Sequence, residues 1–183
     1  ATFCHNIARG LPIQVNDPEA PVTLVYVDDV MKRFVQIMDG ADAAVDADGF
    51  STITPQHTTT VGELARQFQT FKDSRLTLMN ERVGTDLMRA LYATYVSYLP
   101  VESFAYTVPQ HADPRGVFVE MLKTPDCGQF SYFTAHPGIS RGGHYHHSKT
   151  EKFLVIKGQA RFKFQHMQTG ERHELVTTGD KAE

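Results

Sequence analysis

GGHYHHSKTEKFLVIKG, residues 142–158, places three histidines and a glutamate directly before an apolar run. His144 and His146 are two positions apart, so an extended strand would send both side chains to the same face. Glu151 follows after an odd interval, and a turn at 148–150 would return its carboxylate to that face. The spacing therefore predicts two imidazoles and one carboxylate facing one divalent cation. The alternative is a polar loop whose histidines are only solvated, because a short His-x-His pattern also arises by chance.

Short segments with alternating polarity surround this stretch and predict strands. Ala160, Phe162 and Phe164 alternate with polar residues, which is typical of a half-buried strand. The predicted strands are GVFVEML (116–122), GQFSYFTA (128–135), EKFLVIKG (151–158), ARFKFQH (160–166) and RHELVTT (172–178). Several short strands with no helix between them favour a sandwich or barrel over an open parallel sheet.

The first hundred residues have a helical period instead. VTLVYV (22–27) predicts a short strand, and the amphipathic run after it predicts a helix that stops at Gly40. Thr60 and Glu63 have the Thr-x-x-Glu spacing of a capping box, which satisfies free amide groups at a helix start. A further helix is predicted at about 86–98. The predicted fold class is α+β, with a helical part followed by a β part.

Composition and charge exclude several classes of function. The 183 residues are 41% apolar and 21% charged, which indicates a soluble globular protein rather than a disordered chain. A net charge of −3 and a pI near 6.3 give no basic surface for nucleic acid. No apolar run reaches the roughly 18 residues of a membrane span, so we expect a small-molecule ligand. Cys4 and Cys127 lie far apart with no CxxC motif, which predicts buried, reduced thiols in a cytoplasmic protein.

A longer pattern extends the histidine stretch in both directions. Gly138, five residues, His144-x-His146, four residues, Glu151, six residues and Gly158 match the first signature motif of the cupins. By this motif the chain resembles that superfamily, whose fold is a double-stranded β jelly-roll. The resemblance implies a metal on the two histidines and the glutamate, with a fourth ligand from a second motif. That histidine, in Pro-x-Gly-x-x-His, is expected beyond residue 183, so the jelly-roll is expected to be incomplete.

A second motif narrows the type of cupin. Arg115, Phe118 and Glu120 stand in the pattern D-x-R-G-x-F-x-E, and Arg141 and His144 stand in R-G-x-H-Y. Both patterns are similar to those of the cupins that epimerise nucleotide-linked 4-keto sugars. The resemblance implies that Arg115, Phe118, Glu120 and Arg141 contact the substrate. It also implies that His144 is the catalytic base.

These two resemblances compete for His144, because an imidazole nitrogen bound to a metal cannot also accept a proton. The other two predicted ligands favour the metal version over the metal-free sugar epimerases. The predicted substrate contacts also have plainer alternatives. Arg115 and Arg141 could form surface salt bridges, and Phe118 could be an ordinary core residue.

The segment FCHNIARGLPIQVNDPEAPVTLVYVDDV, residues 3–30, resembles the end of an extended short-chain dehydrogenase/reductase. The resemblance implies that residues 1–105 are the C-terminal, substrate-binding part of such a reductase and that 106–183 are the N-terminal part of a cupin. The glycine-rich dinucleotide loop and the Tyr-x-x-x-Lys pair of that family are absent here, so NADP is not expected to bind this part alone. Asp28 and Asp29 are better explained as carboxylates at a helix N-terminus than as substrate contacts.

A reductase part joined to a metal cupin is similar to the bifunctional capsular polysaccharide enzymes of the CapF/WbjC type. The resemblance spans nearly the whole chain. It implies that the cupin epimerises C3 of a UDP-linked 4-keto-2-acetamido-2,6-dideoxy sugar and that the reductase domain reduces the 4-ketone with NADPH. It also implies zinc in the cupin and a cytoplasmic homodimer. The alternatives are a metal cupin oxygenase or isomerase, and a non-catalytic cupin for dimerisation or ligand binding.

Overall fold

Helices dominate the first half of the chain, and antiparallel strands dominate the second. The computed structural model describes residues 1–43 and 45–183, and the elements within them are α1 (Thr2–Ala8), β1 (Pro21–Leu24), α2 (Val27–Met38), β2 (His57–Thr60), α3 (Val61–Thr77), α4 (Asp86–Ser97), a 3₁₀ helix (Val101–Ser103), β3 (Gln110–Asp113), β4 (Gly116–Thr124), β5 (Gly128–Phe133), β6 (Gln159–Gln165) and β7 (Arg172–Thr178). The mixture of helices and antiparallel sheets confirms the coarse prediction of fold class.

The chain forms two compact units, Ala1–Ser140 and Arg141–Glu183. This division lies at a different point from the predicted boundary near residue 105. The predicted boundary separates the part that resembles a reductase from the part that resembles a cupin. Compactness of the fold does not test such a boundary, so it stays a prediction.

The core of the first unit lies between α1, α3 and α4. Its buried members are Cys4, Ile7, Phe68, Phe71, Leu91 and Tyr95. Phe71 is 2% exposed, and its ring meets the ring of Tyr92 edge-on at 5.1 Å between centroids. These side chains recur every three or four positions along their helices, so each helix buries one face against the others.

The start of α3 follows from its sequence. Thr60 has an extended backbone, and its side-chain hydroxyl accepts a hydrogen bond from the backbone N–H of Glu63 at 3.2 Å. The predicted capping interaction at Thr60 is confirmed. The helix ends at Leu78, whose φ of 60° is left-handed. The predicted helix at 86–98 is also confirmed as α4.

Two sheets belong to the first unit. β1 and β2 pair antiparallel, and β3, β4 and β5 form an antiparallel sheet with a register shift between Glu120 and Leu122. The backbone of Lys123 in β4 donates to Leu78 and accepts from Asn80, which ties this sheet to the segment after α3. β3 was not predicted, because QHAD has neither apolar alternation nor β-branched residues.

Gly116 begins β4 at a position that excludes a side chain. Its φ is +139°, and a Cβ at this residue would collide with the carbonyl oxygen of Thr134. Val119, on the buried face of the same strand, is 1% exposed. The glycine of the D-x-R-G motif therefore has a packing role in the close approach of β4 to the end of β5.

The second unit contains one hairpin. β6 and β7 pair antiparallel from Gln159↔Thr178 to Gln165↔Arg172. The prediction of a strand at 151–158 is wrong, because a strand requires a ladder of backbone hydrogen bonds and this segment has no such ladder among the described residues. Phe153 nevertheless packs its ring 5.5 Å from that of Phe162, so the segment lies against β6 through a side chain.

The two cysteines differ in environment. Both are free, but Cys4 is 1% exposed whereas Cys127 lies on the surface. The prediction that both thiols are buried is therefore wrong for Cys127, which lies in the turn between β4 and β5. Burial raises the pKa of the Cys4 thiol because desolvation disfavours the thiolate.

Within residues 1–43 and 45–183, no helix combines the length and the apolar character that crossing a bilayer requires.

Replacing Phe71 by alanine should destabilise the helical core. A large cavity would remain at a residue that is 2% exposed, so we expect the free energy of unfolding to fall by about 3–5 kcal/mol. Phe50→Ala is the matched control, because Phe50 is 72% exposed and should change stability by less than about 0.5 kcal/mol. Urea unfolding followed by far-UV circular dichroism measures both, and equal losses would contradict this description of the core.

The native protein should have one reactive thiol. Ellman's reagent should modify Cys127 quickly and Cys4 only after denaturation, because the reactive species is the thiolate and Cys4 is buried. Cys127→Ser should therefore remove the fast reaction. Two fast-reacting thiols in the native wild-type protein would show that Cys4 is not enclosed.

Candidate metal centre

The segment that carries the histidines is irregular but follows the two-residue period of extended chain. The rings of His144 and His146 are 4.8 Å apart between centroids, and those of Tyr145 and His147 are 5.0 Å apart. Each pair joins residues two positions apart, so the side chains alternate between two sides. The structure thus places His144 and His146 together, as their spacing predicts.

A glycine pair and a bend frame this segment. Gly142 and Gly143 both have positive φ, at 108° and 74°, and they turn the chain immediately before His144. His147 and Ser148 form a bend at the end of the histidine stretch. This bend overlaps the turn predicted at 148–150 only at Ser148, and the chain after it brings Glu151 back to the histidines.

One group of donor atoms results. A ring nitrogen from each of His144 and His146 and a carboxylate oxygen of Glu151 all lie within 4.8 Å of one another. His146 Nε2 is 3.4 Å from Glu151 Oε1. Among the described residues this is the only such group of three or more.

The chemistry of these donors fits a divalent transition metal. Two neutral imidazoles and one carboxylate are a donor set that zinc accepts, and three protein ligands leave a further position for water or substrate. The side chains of His146 and Glu151 are 29% and 38% exposed, so a ligand can reach them from solvent. The residues therefore fit the metal that the cupin motif implies.

A lysine stands beside the same carboxylate. Lys149 Nζ lies 3.4 Å from Glu151 Oε1, the oxygen that also faces His146. Sequence reasoning assigned residues 148–150 only to a turn. The signal that could have identified Lys149 is its position two residues before Glu151 within that turn.

Arg115, predicted to contact substrate, forms an ion pair with Asp113. Its Nε and Nη2 donate to Asp113 Oδ2 at 3.0 and 2.6 Å, and its backbone N–H donates to Asp113 Oδ1 at 2.7 Å. The hydrogen bonds to this carboxylate raise the pKa of the Arg115 guanidinium. The pair is on the surface, as the salt-bridge alternative describes. It also holds the arginine in one orientation.

Phe118 and Glu120 lie on the face of β4 opposite Val119. Phe118 is half-buried rather than enclosed, and its ring is 6.5 Å from that of His111. Glu120 forms an ion pair with Lys123 at 2.7 Å. Phe118 is therefore partly accessible, unlike the buried Val119.

Arg141, the remaining predicted contact, belongs to the second unit, three residues before His144.

Comparison with known proteins places these features in context. Residues 111–183 match the family described as the polysaccharide biosynthesis C-terminal domain. The chain is 60% identical to UDP-2-acetamido-2,6-beta-L-arabino-hexul-4-ose reductase of Pseudomonas aeruginosa strain PA103 over 184 residues, which are 100% of this chain and 48% of that protein. The chain thus spans about half the length of the curated relative that it matches.

Solved structures agree with this relationship. The capsular polysaccharide assembling protein CapF from Staphylococcus aureus is 40% identical, with a TM-score of 0.91 over 100% of this chain and 49% of that one. A structure of CapF with the inhibitor 3-isopropenyl-tropolone is also 40% identical, with a TM-score of 0.93 over 100% of this chain and 52% of that one.

Removal of one donor should weaken metal binding. We expect His146→Ala to lower the affinity for zinc by at least about tenfold, because a lost donor leaves two protein ligands instead of three. His147→Ala is the matched control, since His147 pairs with Tyr145 on the other side of the segment. Equilibrium dialysis with zinc quantified by mass spectrometry measures both variants. Equal losses would show that binding is not specific to this cluster.

Proposed function

We propose that this chain is part of a CapF/WbjC-type capsular polysaccharide biosynthesis enzyme, a bifunctional UDP-sugar epimerase and reductase. Residues 1–105 would contribute the substrate-binding lobe of the reductase, and 106–183 would contribute the start of a cupin jelly-roll. The observation that carries the epimerase part is the cluster of two imidazoles and one carboxylate within a chain related along its whole length to sugar-nucleotide enzymes.

The substrate class follows from the relative. Its name specifies a UDP-linked hexul-4-ose, which is a 4-keto hexose, with an acetamido group at C2, and 60% of the aligned residues are identical in the two chains. We infer that the cupin part inverts C3 of such a sugar and that the complete reductase reduces the 4-ketone with NADPH. Both nucleotides belong to cytoplasmic metabolism, which supports a cytoplasmic location.

The chemistry suits a carbon next to a ketone. A proton at C3 becomes acidic when negative charge on the neighbouring carbonyl oxygen is stabilised, and delivery of a proton to the opposite face inverts the centre. A divalent metal, which we expect to be zinc, would be held by His144, His146 and Glu151 and would supply that stabilisation as a Lewis acid.

The role of His144 separates two versions of the mechanism. If its ring nitrogen is a metal ligand, another group removes the C3 proton. In the metal-free alternative His144 is itself the base. Its position in the donor cluster, with its ring beside that of His146, favours the ligand role.

The predicted substrate contacts have chemistry suited to a nucleotide sugar. Arg115 is oriented by Asp113 through Nε and Nη2, which leaves its Nη1 end to donate to a diphosphate. The half-buried ring of Phe118 could stack on a base or sugar, and Glu120 could accept from sugar hydroxyls. Arg141 adds a further positive charge near the histidines in sequence.

A second function, dimerisation, has one observation in its favour. Leu154 is 54% exposed and Ile156 is 76% exposed in the segment that follows the donor cluster. Exposed apolar side chains that form a contiguous patch commonly mark an interface. We propose a homodimer, and a cupin that only dimerised would tolerate loss of the metal ligands.

Deuterium exchange tests the catalytic proposal against this alternative. The full-length protein, incubated in D₂O with a UDP-linked 4-keto-6-deoxy sugar, should introduce solvent deuterium at C3, detected by mass spectrometry or NMR. Glu151→Gln should slow exchange by at least about 100-fold, because a metal ligand and its charge are lost. His147→Ala should retain exchange. Absence of exchange in wild-type protein loaded with zinc would overturn the epimerase proposal.

A further inference from the structure

We propose that Lys149 is the counter-cation of Glu151 in the metal-free site and that it sets how tightly the site holds a divalent cation. This inference rests on the metal site of the proposed function. It assigns a positioning role to a residue that lies outside the donor set.

The argument begins with a single oxygen atom. Glu151 Oε1 lies 3.4 Å from His146 Nε2 and 3.4 Å from Lys149 Nζ. This oxygen belongs to the donor that supplies the only negative charge among the three candidate ligands. A cation that binds there must therefore share the carboxylate with the ammonium group or displace it.

The positive charge of Lys149 determines whether this residue strengthens or weakens metal binding. The ammonium group stabilises the ionised carboxylate while no metal is present, and it repels a dication once the metal is bound. Both effects lower the net free energy gained from metal binding. Removal of the positive charge should therefore tighten binding, which is the opposite of what removal of a ligand would do.

Solvent limits the size of the effect. The side chain of Lys149 is 58% exposed and that of Glu151 is 38% exposed, so water and salt screen the pair. We expect a change in affinity of about two- to tenfold rather than the larger change expected for a lost ligand. The same screening predicts that the effect of the lysine shrinks as the salt concentration rises.

Lys152 offers a matched comparison. It is exposed and one residue after Glu151, yet it forms no ion pair within the part of the chain that the structure describes. A general effect of positive charge in this segment would act through both lysines. An effect that depends on contact with Glu151 would act through Lys149 alone.

Zinc affinities of this chain, measured by competition with a chromophoric chelator at low and high salt, test the inference. Lys149→Met should bind zinc about two- to tenfold more tightly than wild type at low salt, with a smaller difference at high salt. Lys149→Arg keeps the charge and should remain close to wild type, as should Lys152→Met. Circular dichroism verifies that each variant is folded.

The outcomes separate this inference from the metal site itself. If wild type binds zinc but Lys149→Met binds equally or more weakly, the proposed role of Lys149 is overturned and the metal site stands. If Lys152→Met tightens binding as much as Lys149→Met, the effect is general charge and the specific role is also overturned. If wild type binds no more zinc than Glu151→Gln, the metal site fails and the inference fails with it.

Discussion

Hydrogen bonding between neighbouring strands organises the β part of this chain. Each pairing there joins segments that follow one another in sequence, namely β3 with β4, β4 with β5 and β6 with β7. Such hairpins require only short turns, so each can form between segments that are consecutive in sequence. In sequence, residues 134–158 separate β5 from β6. The described structure assigns them to no strand, and they carry the candidate site.

The site thus combines irregular backbone with ordered side chains. Alternation along 144–147 keeps two imidazoles together even without a ladder of hydrogen bonds. Glycines before His144 and a bend before Glu151 provide the changes in direction. Placement of functional groups on such a connecting segment is common, because loops vary without disturbing the sheets that carry them.

Sequence reasoning succeeded where one local rule determines the outcome. The Thr60 cap and the meeting of His144 with His146 depend on hydrogen-bond geometry and on side-chain period within a few residues. It failed where the outcome depends on distant groups. The apolar run at 151–158 has the composition of a strand, but strand formation also needs a partner that composition does not specify. Surface position, as for Cys127, likewise depends on which elements pack over a residue.

Lys149 shows a second limit of prediction from sequence. A charge two residues from a carboxylate can point toward it or away from it, and the direction of the backbone after the bend at 147–148 brings the two together. Similarly, Arg115 and Asp113 are two positions apart, and the turn between β3 and β4 closes their ion pair. Sequence identifies both pairs as candidates, whereas backbone direction decides whether they form.

All three candidate donors come from the interval 144–151, so the chain entropy lost in gathering them is that of one short loop. Their assembly has low contact order and needs no pairing between distant strands. The donor cluster can therefore form early in folding, on the time scale of local loop closure. The long-range strand pairings of a complete barrel would form later. A cation captured at that stage would bias the growing fold toward the arrangement that retains it.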